Sequence, residues 1–253
     1  MSRPHVTVSI ENDANAVAAR SAEIFAQLVE QSAGDEHPFR VALSGGSTPK
    51  LLYKLLASEE YRGRIAWDRV QFYFGDERWV PHTGKDSNFK LANDYLFQPL
   101  GIHTSRVFPM PTEGLEPQQA AEQYEATIRR EFALASREMP RFDLVFLGMG
   151  DDGHTASLFP HTAALREYGK LVAANHVDTL DTWRITLTAP VLNAAGHVLF
   201  MVAGESKAPA LKQVLEGDYD PKEYPSQLLR EASGHVTWLV DRAAAAQLET
   251  GAD

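Results

Sequence analysis

Among 253 residues there is no cysteine. Disulfide staples, thiolate nucleophiles and cysteine-bound zinc are therefore excluded. Long apolar runs are also missing. No stretch approaches the ~18 consecutive apolar residues of a membrane-spanning helix. Residues Met1 to His5 lead into a short alternating stretch, Val6 to Ile10, without the apolar segment of a secretory leader, so the cytoplasm is the expected compartment. Positive charge is scarce: 24 Lys and Arg stand against 34 Asp and Glu, a formal net charge of −10. Nucleic acid needs a basic footprint and is not an expected partner, and neither is a membrane. An anionic ligand would have to be held by a local cluster of cations and backbone N–H groups. Several catalytic signatures are absent as well. There is no H-E-x-x-H and no G-x-S-x-G, and the glycine loop Ser44 to Pro49 has neither Walker nor G-x-G-x-x-G spacing. His154 and His161 are seven apart, which does not pair them on one helix face. No metal and no cofactor are expected. The sequence leaves oligomeric state open and favours a monomer.

What is present reads as a globular α/β chain. The apolar and charged fractions, 44% and 23%, are ordinary, and the length suits one domain over residues 1–253. Short apolar runs alternate with helical patterns. Strands are expected at Val6–Ile10, Phe39–Leu43, Val70–Phe74, Leu144–Leu147, Ile185–Leu187, Val198–Val202 and Val236–Val240. Helices are expected at Asn15–Gln31, Leu51–Leu56, Asn88–Phe97, Gln118–Ala135, Lys207–Leu215 and Arg242–Leu248. Such alternation predicts a mostly parallel, Rossmann-like sheet with helices on both faces. These sheets bind ligands beyond the carboxyl ends of their strands.

Three strand-end loops carry the chemistry. Ser44-Gly45-Gly46-Ser47-Thr48-Pro49 follows Val41-Ala42-Leu43 and opens a helix. It is either a phosphate cradle at a helix start or a tight turn that binds nothing. Ser47 or Thr48 could cap that helix, and Pro49 suits its first position. Gly75-Asp76-Glu77-Arg78-Trp79 follows Gln71-Phe72-Tyr73-Phe74. Its charges form either a surface ion pair or a group in which Arg78 supplies charge for a phosphate. Gly148-Met149-Gly150-Asp151-Asp152-Gly153-His154 follows Asp143 to Leu147. His154 is the candidate general base, with a neighbouring aspartate to fix its tautomer. Arg184 and Lys207 each lie beside an apolar strand, which permits a ligand role.

With these loops in view, the chain resembles the 6-phosphogluconolactonase family, which shares a superfamily with glucosamine-6-phosphate deaminase. The matching segments are Leu43 to Pro49, Gly75 to Pro81, Ser87-Asn88-Phe89, Leu147 to Pro160, Trp183 to Thr188, Gly204 to Ala208 and Val236 to Asp241, in family order. The resemblance implies hydrolysis of 6-phospho-D-glucono-1,5-lactone in the pentose phosphate pathway. It implies His154 as base, oriented by Asp152, with Asp151 the other possibility. It places the substrate on Ser44, Gly45, Gly46, Ser47, Thr48, Asp76, Arg78, Asn88, Arg184 and Lys207. The deaminase branch carries a glutamate five residues after the histidine, where this chain has Phe159, and Asp-Glu-Tyr where this chain has Asp76-Glu77-Arg78. Both departures favour the lactonase. The alternatives are a deaminase-like enzyme and a sugar-phosphate sensor without catalysis.

Overall fold

The computed structural model describes residues 5–249. In chain order its main elements are β1 (His5–Glu11), α1 (Ala14–Gln31), β2 (Phe39–Leu43), α2 (Ser47–Leu56), α3 (Glu59–Arg62), β3 (Val70–Phe74), β4 (Asp76–Arg78), α4 (Asn88–Ala92), α5 (Gln98–Leu100), α6 (Pro117–Glu131), β5 (Leu144–Leu147), β6 (Val172–Val177), β7 (Thr182–Leu187), α7 (Ala189–Asn193), β8 (His197–Val202), α8 (Ala208–Glu216) and β9 (His235–Asp241). Six strands form one parallel sheet in the order β1-β9-β8-β5-β2-β3. Its central strands are buried on both faces, as the unbroken apolar run Leu144-Val145-Phe146-Leu147 requires.

The strand order positions the site. From β2 the chain crosses to β3 on one side, whereas from β5 it goes on to β8 and β9 on the other. Adjacent strands β2 and β5 thus send their crossovers in opposite directions. The crevice between their carboxyl ends is the topological switch point, where such sheets take ligands. The loops that begin at Ser44 and at Gly148 flank this crevice.

A second sheet, β4-β7-β6, is antiparallel. Ile185–Leu187 belongs here and not to the parallel sheet that the sequence suggested. The chain leaves the parallel sheet at Gly75, whose N–H donates to Leu43 O and whose carbonyl accepts from Leu187 N, both at 2.8 Å. β6, Val-Ala-Ala-Asn-His-Val, is not readable from apolar alternation because Asn175 faces inward, buried, to donate to Ser157 O.

Other expectations shift for local reasons. Arg242–Leu248 is a series of turns, not a closing helix. Its Ala246 N donates to Ala243 O and its Leu248 N to Ala245 O, three residues back instead of the four of an α-helix. Asn88–Phe97 starts as α4 but widens into a π-turn over Asn93–Phe97. The helix read over Gln118–Ala135 stops at Glu131, and Ala133 turns left-handed (φ 51°). The residue before α2 is Gly46, at φ 118°, so Ser47 and Thr48 occupy the first turn without capping it by side chain, and Pro49 is its third residue.

Glu77 is fully buried and makes no ion pair with Arg78. Its Oε1 accepts from Arg78 N (2.8 Å) and Asn88 N (2.7 Å), and its Oε2 from Phe89 N (2.8 Å) and Ser87 Oγ (3.1 Å). Burial pushes its pKa up, and the backbone donors work against that push. The carboxylate thus pins the start of α4 to β4. An amide in its place can accept at one end only and would aim its NH2 at Phe89 N–H. Glu77→Gln is expected to lower unfolding stability by about 1–3 kcal/mol, the cost of an unmatched buried donor. Thermal unfolding checks this; an unchanged Tm would mean that the donors find other partners.

Candidate active site

The loop after β5 bends so that a histidine and an aspartate two residues apart meet. Gly150 N donates to His154 O (2.8 Å) and Gly153 N to Gly150 O (3.0 Å). Gly153 takes φ 76°, and its carbonyl accepts from Ser226 N (2.9 Å) and Ser226 Oγ (2.8 Å), which ties the loop to a distant segment. Within this turn His154 Nδ1 lies 2.6 Å from Asp152 Oδ1, which also accepts His154 N at 3.0 Å. A carboxylate on Nδ1 holds the ring proton there and leaves Nε2 with its lone pair. Burial pushes the Asp152 carboxyl up, but hydrogen bonds and charge from His154 outweigh it and hold it below the ordinary carboxylate range. One face of the imidazole is covered by Phe159, ring centroids 4.0 Å apart and 24° from parallel.

Of the two aspartates open to choice from sequence, Asp152 contacts the imidazole. Asp151 turns away to Lys207 Nζ at 2.6 Å and accepts from Ser206 Oγ at 3.1 Å. Lys207 holds the Asp151 carboxyl below its usual range. Lys207 itself stands just before α8.

The antiparallel sheet brings in the arginines. Arg78 on β4 and Arg184 on β7 are direct cross-strand partners. Like charges placed so repel. Among the described residues neither lies in an ion pair with a carboxylate. Arg78 donates to Asp86 O (2.7 Å), and Arg184 to Trp183 O (3.1 Å) and Thr182 Oγ1 (3.3 Å). Burial, followed by the charge of Arg78, pushes the Arg184 pKa down. Two under-neutralised guanidiniums favour an anion.

These groups share a cleft of about 480 Å³ lined by Asp76, Arg78, Asp152, His154, Arg184 and Lys207 among others. It runs into a smaller pocket of about 230 Å³ that reaches Ser44, Gly45 and Gly46. Ser44 Oγ is buried without a hydrogen-bond partner. Asp76 is buried between Ser157 Oγ (2.6 Å) and Asn88 Nδ2 (3.1 Å). Asn88 stands behind the wall and does not line it. A Cβ on Gly45 would fall 1.7 Å from Asn88 Oδ1, so only glycine fits there. Ser47 and Thr48 do not line either pocket. The sequence reading missed Phe159 as a ring partner and Ser157 as the Asp76 donor. A phenylalanine five residues after the histidine signalled only a missing carboxylate. Among the described residues no group of three or more His, Asp or Glu side chains converges to hold a metal, and no helix is long and apolar enough to cross a membrane.

A family model described as glucosamine-6-phosphate isomerases/6-phosphogluconolactonase matches residues 12–238. The chain belongs to that family. A 6-phosphogluconolactonase of Nostoc sp. is 39% identical over 242 residues, covering 96% of this chain and 98% of the relative. The Homo sapiens 6-phosphogluconolactonase is 39% identical over 227 residues, 87% of this chain and 86% of its own. Among solved structures, 6-phosphogluconolactonase from Trypanosoma cruzi superposes with a TM-score of 0.86 at 29% identity, covering 98% of both chains.

The Nδ1–carboxylate bond can be tested independently of turnover. Nitrogen NMR of neutral His154 is expected to place the proton on Nδ1. Asp152→Ala should shift it toward the Nε2–H form usual for free imidazole, whereas Asp151→Ala should not. A tautomer that ignores Asp152 would remove its orienting role.

Proposed function

We propose that this chain hydrolyses 6-phospho-D-glucono-1,5-lactone to 6-phospho-D-gluconate in the oxidative pentose phosphate pathway, in the cytoplasm, with His154 as general base. One observation carries the reading: an imidazole fixed by Asp152 through Nδ1 shares one cleft with Arg78, Arg184 and Lys207. That is the combination a phosphorylated, water-labile ester needs. The relatives named 6-phosphogluconolactonase support the same substrate.

In this mechanism His154 Nε2 takes a proton from water as the oxygen attacks C1. The tetrahedral intermediate collapses, the C1–O5 bond breaks, and the imidazolium returns its proton to O5. The new carboxylic acid then ionises to solvent. Asp152 stabilises the imidazolium between the two transfers. Well-placed proton transfer contributes about 10²–10⁴-fold, and a donor to the oxyanion about 10²–10³-fold. Arg78 or a backbone N–H fills the latter role. Arg184 and Lys207 hold the phosphate, helped by the Gly45 and Gly46 backbone of the loop before α2. The Lys207–Asp151 pair is solvent-exposed on the Asp151 side and contributes no more than about 1 kcal/mol. A dianionic phosphate can therefore draw Lys207 away from it.

Phe159 supports the lactonase branch over the deaminase. The resemblance gives the deaminase a carboxylate at this position to assist ring opening; here an apolar ring packs flat on the base. Lactone hydrolysis asks for no second carboxylate.

Two kinetic outcomes are expected, both with spontaneous hydrolysis subtracted. His154→Ala should lower kcat at least about a hundredfold with little change in KM, the loss of a general base. Near-normal turnover in a folded variant would remove His154 from the mechanism. Arg184→Ala and Lys207→Ala should each raise KM for the phosphorylated lactone by about tenfold or more and hardly affect unphosphorylated gluconolactone, since charge-assisted bonds to phosphate are lost. An equal effect on both lactones would place the phosphate elsewhere.

A further inference from the structure

The parallel sheet has two edges, and the described residues cover only one. Along β3, Phe108 N donates to Phe72 O at 2.8 Å, so an extra segment pairs with that edge. Among the described residues β1 has no such cover. Its Val6, Val8 and Ile10 are 49%, 41% and 37% exposed, the main run of large apolar side chains at the surface. The strand also lacks the usual guards of an edge: His5–Glu11 contains no lysine, no proline and no bulge against β9.

We propose that β1 pairs with β1 of a second copy of this chain, antiparallel about a two-fold axis at Val8, to give a homodimer with one continuous sheet. The backbone is turned for it. Glu11 O accepts from Arg242 N at 3.0 Å, so the odd-numbered residues of β1 direct their N–H and C=O toward β9. In a parallel strand the alternate residues then direct theirs outward. These are Val6, Val8 and Ile10. A two-fold axis at Val8 sets Val8 against Val8 of the partner subunit and Val6 against Ile10 of the partner subunit as hydrogen-bonded pairs. Every outward N–H and C=O of the three residues finds a mate.

The sequence His-Val-Thr-Val-Ser-Ile-Glu is complementary to itself in that register. One face pairs valine with valine and valine with isoleucine. The other sets Thr7 against the partner's Ser9. A pair of hydroxyls is a favourable cross-strand combination. A strand from an unrelated protein would have no reason to meet a palindrome. The apolar face continues into a groove of about 480 Å³ lined by Val6, Val214, Leu215, Leu229, Val236 and Trp238, which the partner's side chains at the edge would close. The contact is isologous, so it closes at two copies, which departs from the monomer favoured by sequence alone. It lies at the far edge of the sheet from β2 and does not touch the cleft.

Sedimentation velocity of the full chain from about 1 to 100 μM, a range in which modest interfaces form, tests this. The mass should rise from 28.0 kDa toward twice that value. Val8→Lys sets two ammonium groups face to face on the axis and should raise the dissociation constant at least about tenfold, with lactone turnover unchanged. Because the chain has no cysteine, Val8→Cys carries the sole thiol. A short bismaleimide should join two copies through it readily, and much less readily through Glu59→Cys on exposed α3. The cross-linking decides the matter even if Val8→Lys fails to fold. A 28.0 kDa species at every concentration, a dimer that Val8→Lys leaves as tight, or equal cross-linking at positions 8 and 59 would each overturn the proposal.

Discussion

The hydrogen bond between His154 Nδ1 and Asp152 occupies space that a side chain on Gly150 would take. A Cβ there would lie 2.1 Å from Nδ1 and 2.6 Å from the carboxylate oxygen. The glycines of this loop are thus a steric condition of the site: Gly150 opens the room, and Gly153 supplies the left-handed turn that folds residue 154 back over residue 152. Everything chemical in the cleft is set relative to that pair. Phe159 covers one face of the ring, the Asp152 carboxylate fixes its tautomer, and the other nitrogen keeps the lone pair that the proposed mechanism uses.

Charge is the second constraint. A chain of net charge −10 repels a phosphorylated substrate at long range. The fold answers locally by placing Arg78 and Arg184 on opposed strands, neither in an ion pair with a carboxylate among the described residues, while Asp76, Glu77 and Asp86 act on Arg184 from a distance. Asp76 and Glu77 lie close by but are engaged otherwise: Glu77 by four donors of its own segment, Asp76 by Ser157 and Asn88. The repulsion between the arginines, with the burial of Arg184, is a cost in the free protein that an anion would relieve. Lys207 differs, because it is held in an ion pair until a stronger anion competes.

Much of this was legible in the sequence. Parallel strands announce themselves as unbroken apolar runs, so Leu144–Leu147 and Val198–Val202 were placed within a residue, and the loops at their carboxyl ends supply Gly150, His154 and Lys207 to one cleft. His154, Arg78, Arg184 and Lys207 line one cleft. What escaped is what local pattern does not encode. Strand β6 carries an inward asparagine whose partner, Ser157, is 18 residues away. Arg242–Leu248 looks helical by composition, yet its backbone closes in three-residue turns. Glu77 looks like half of a surface pair until α4 is seen packed on it. Asp151 and Asp152 are adjacent and chemically alike; only the turn at Gly153 decides which one faces the imidazole. Ser47 and Thr48 drop out of the wall because the chain bends at Gly46, one residue earlier than capping logic suggests.

The central claim is geometric: one cleft presents the base to the carboxyl carbon of a substrate whose phosphate rests on Arg184 and Lys207. A crystal structure with 6-phosphogluconate bound tests it most directly. The account predicts the product carboxylate within hydrogen-bond reach of His154 Nε2 and the phosphate on Arg184 and Lys207, with Lys207 withdrawn from Asp151. A product bound in the reverse sense, with its phosphate at His154 and its carboxylate on Arg184, would contradict it.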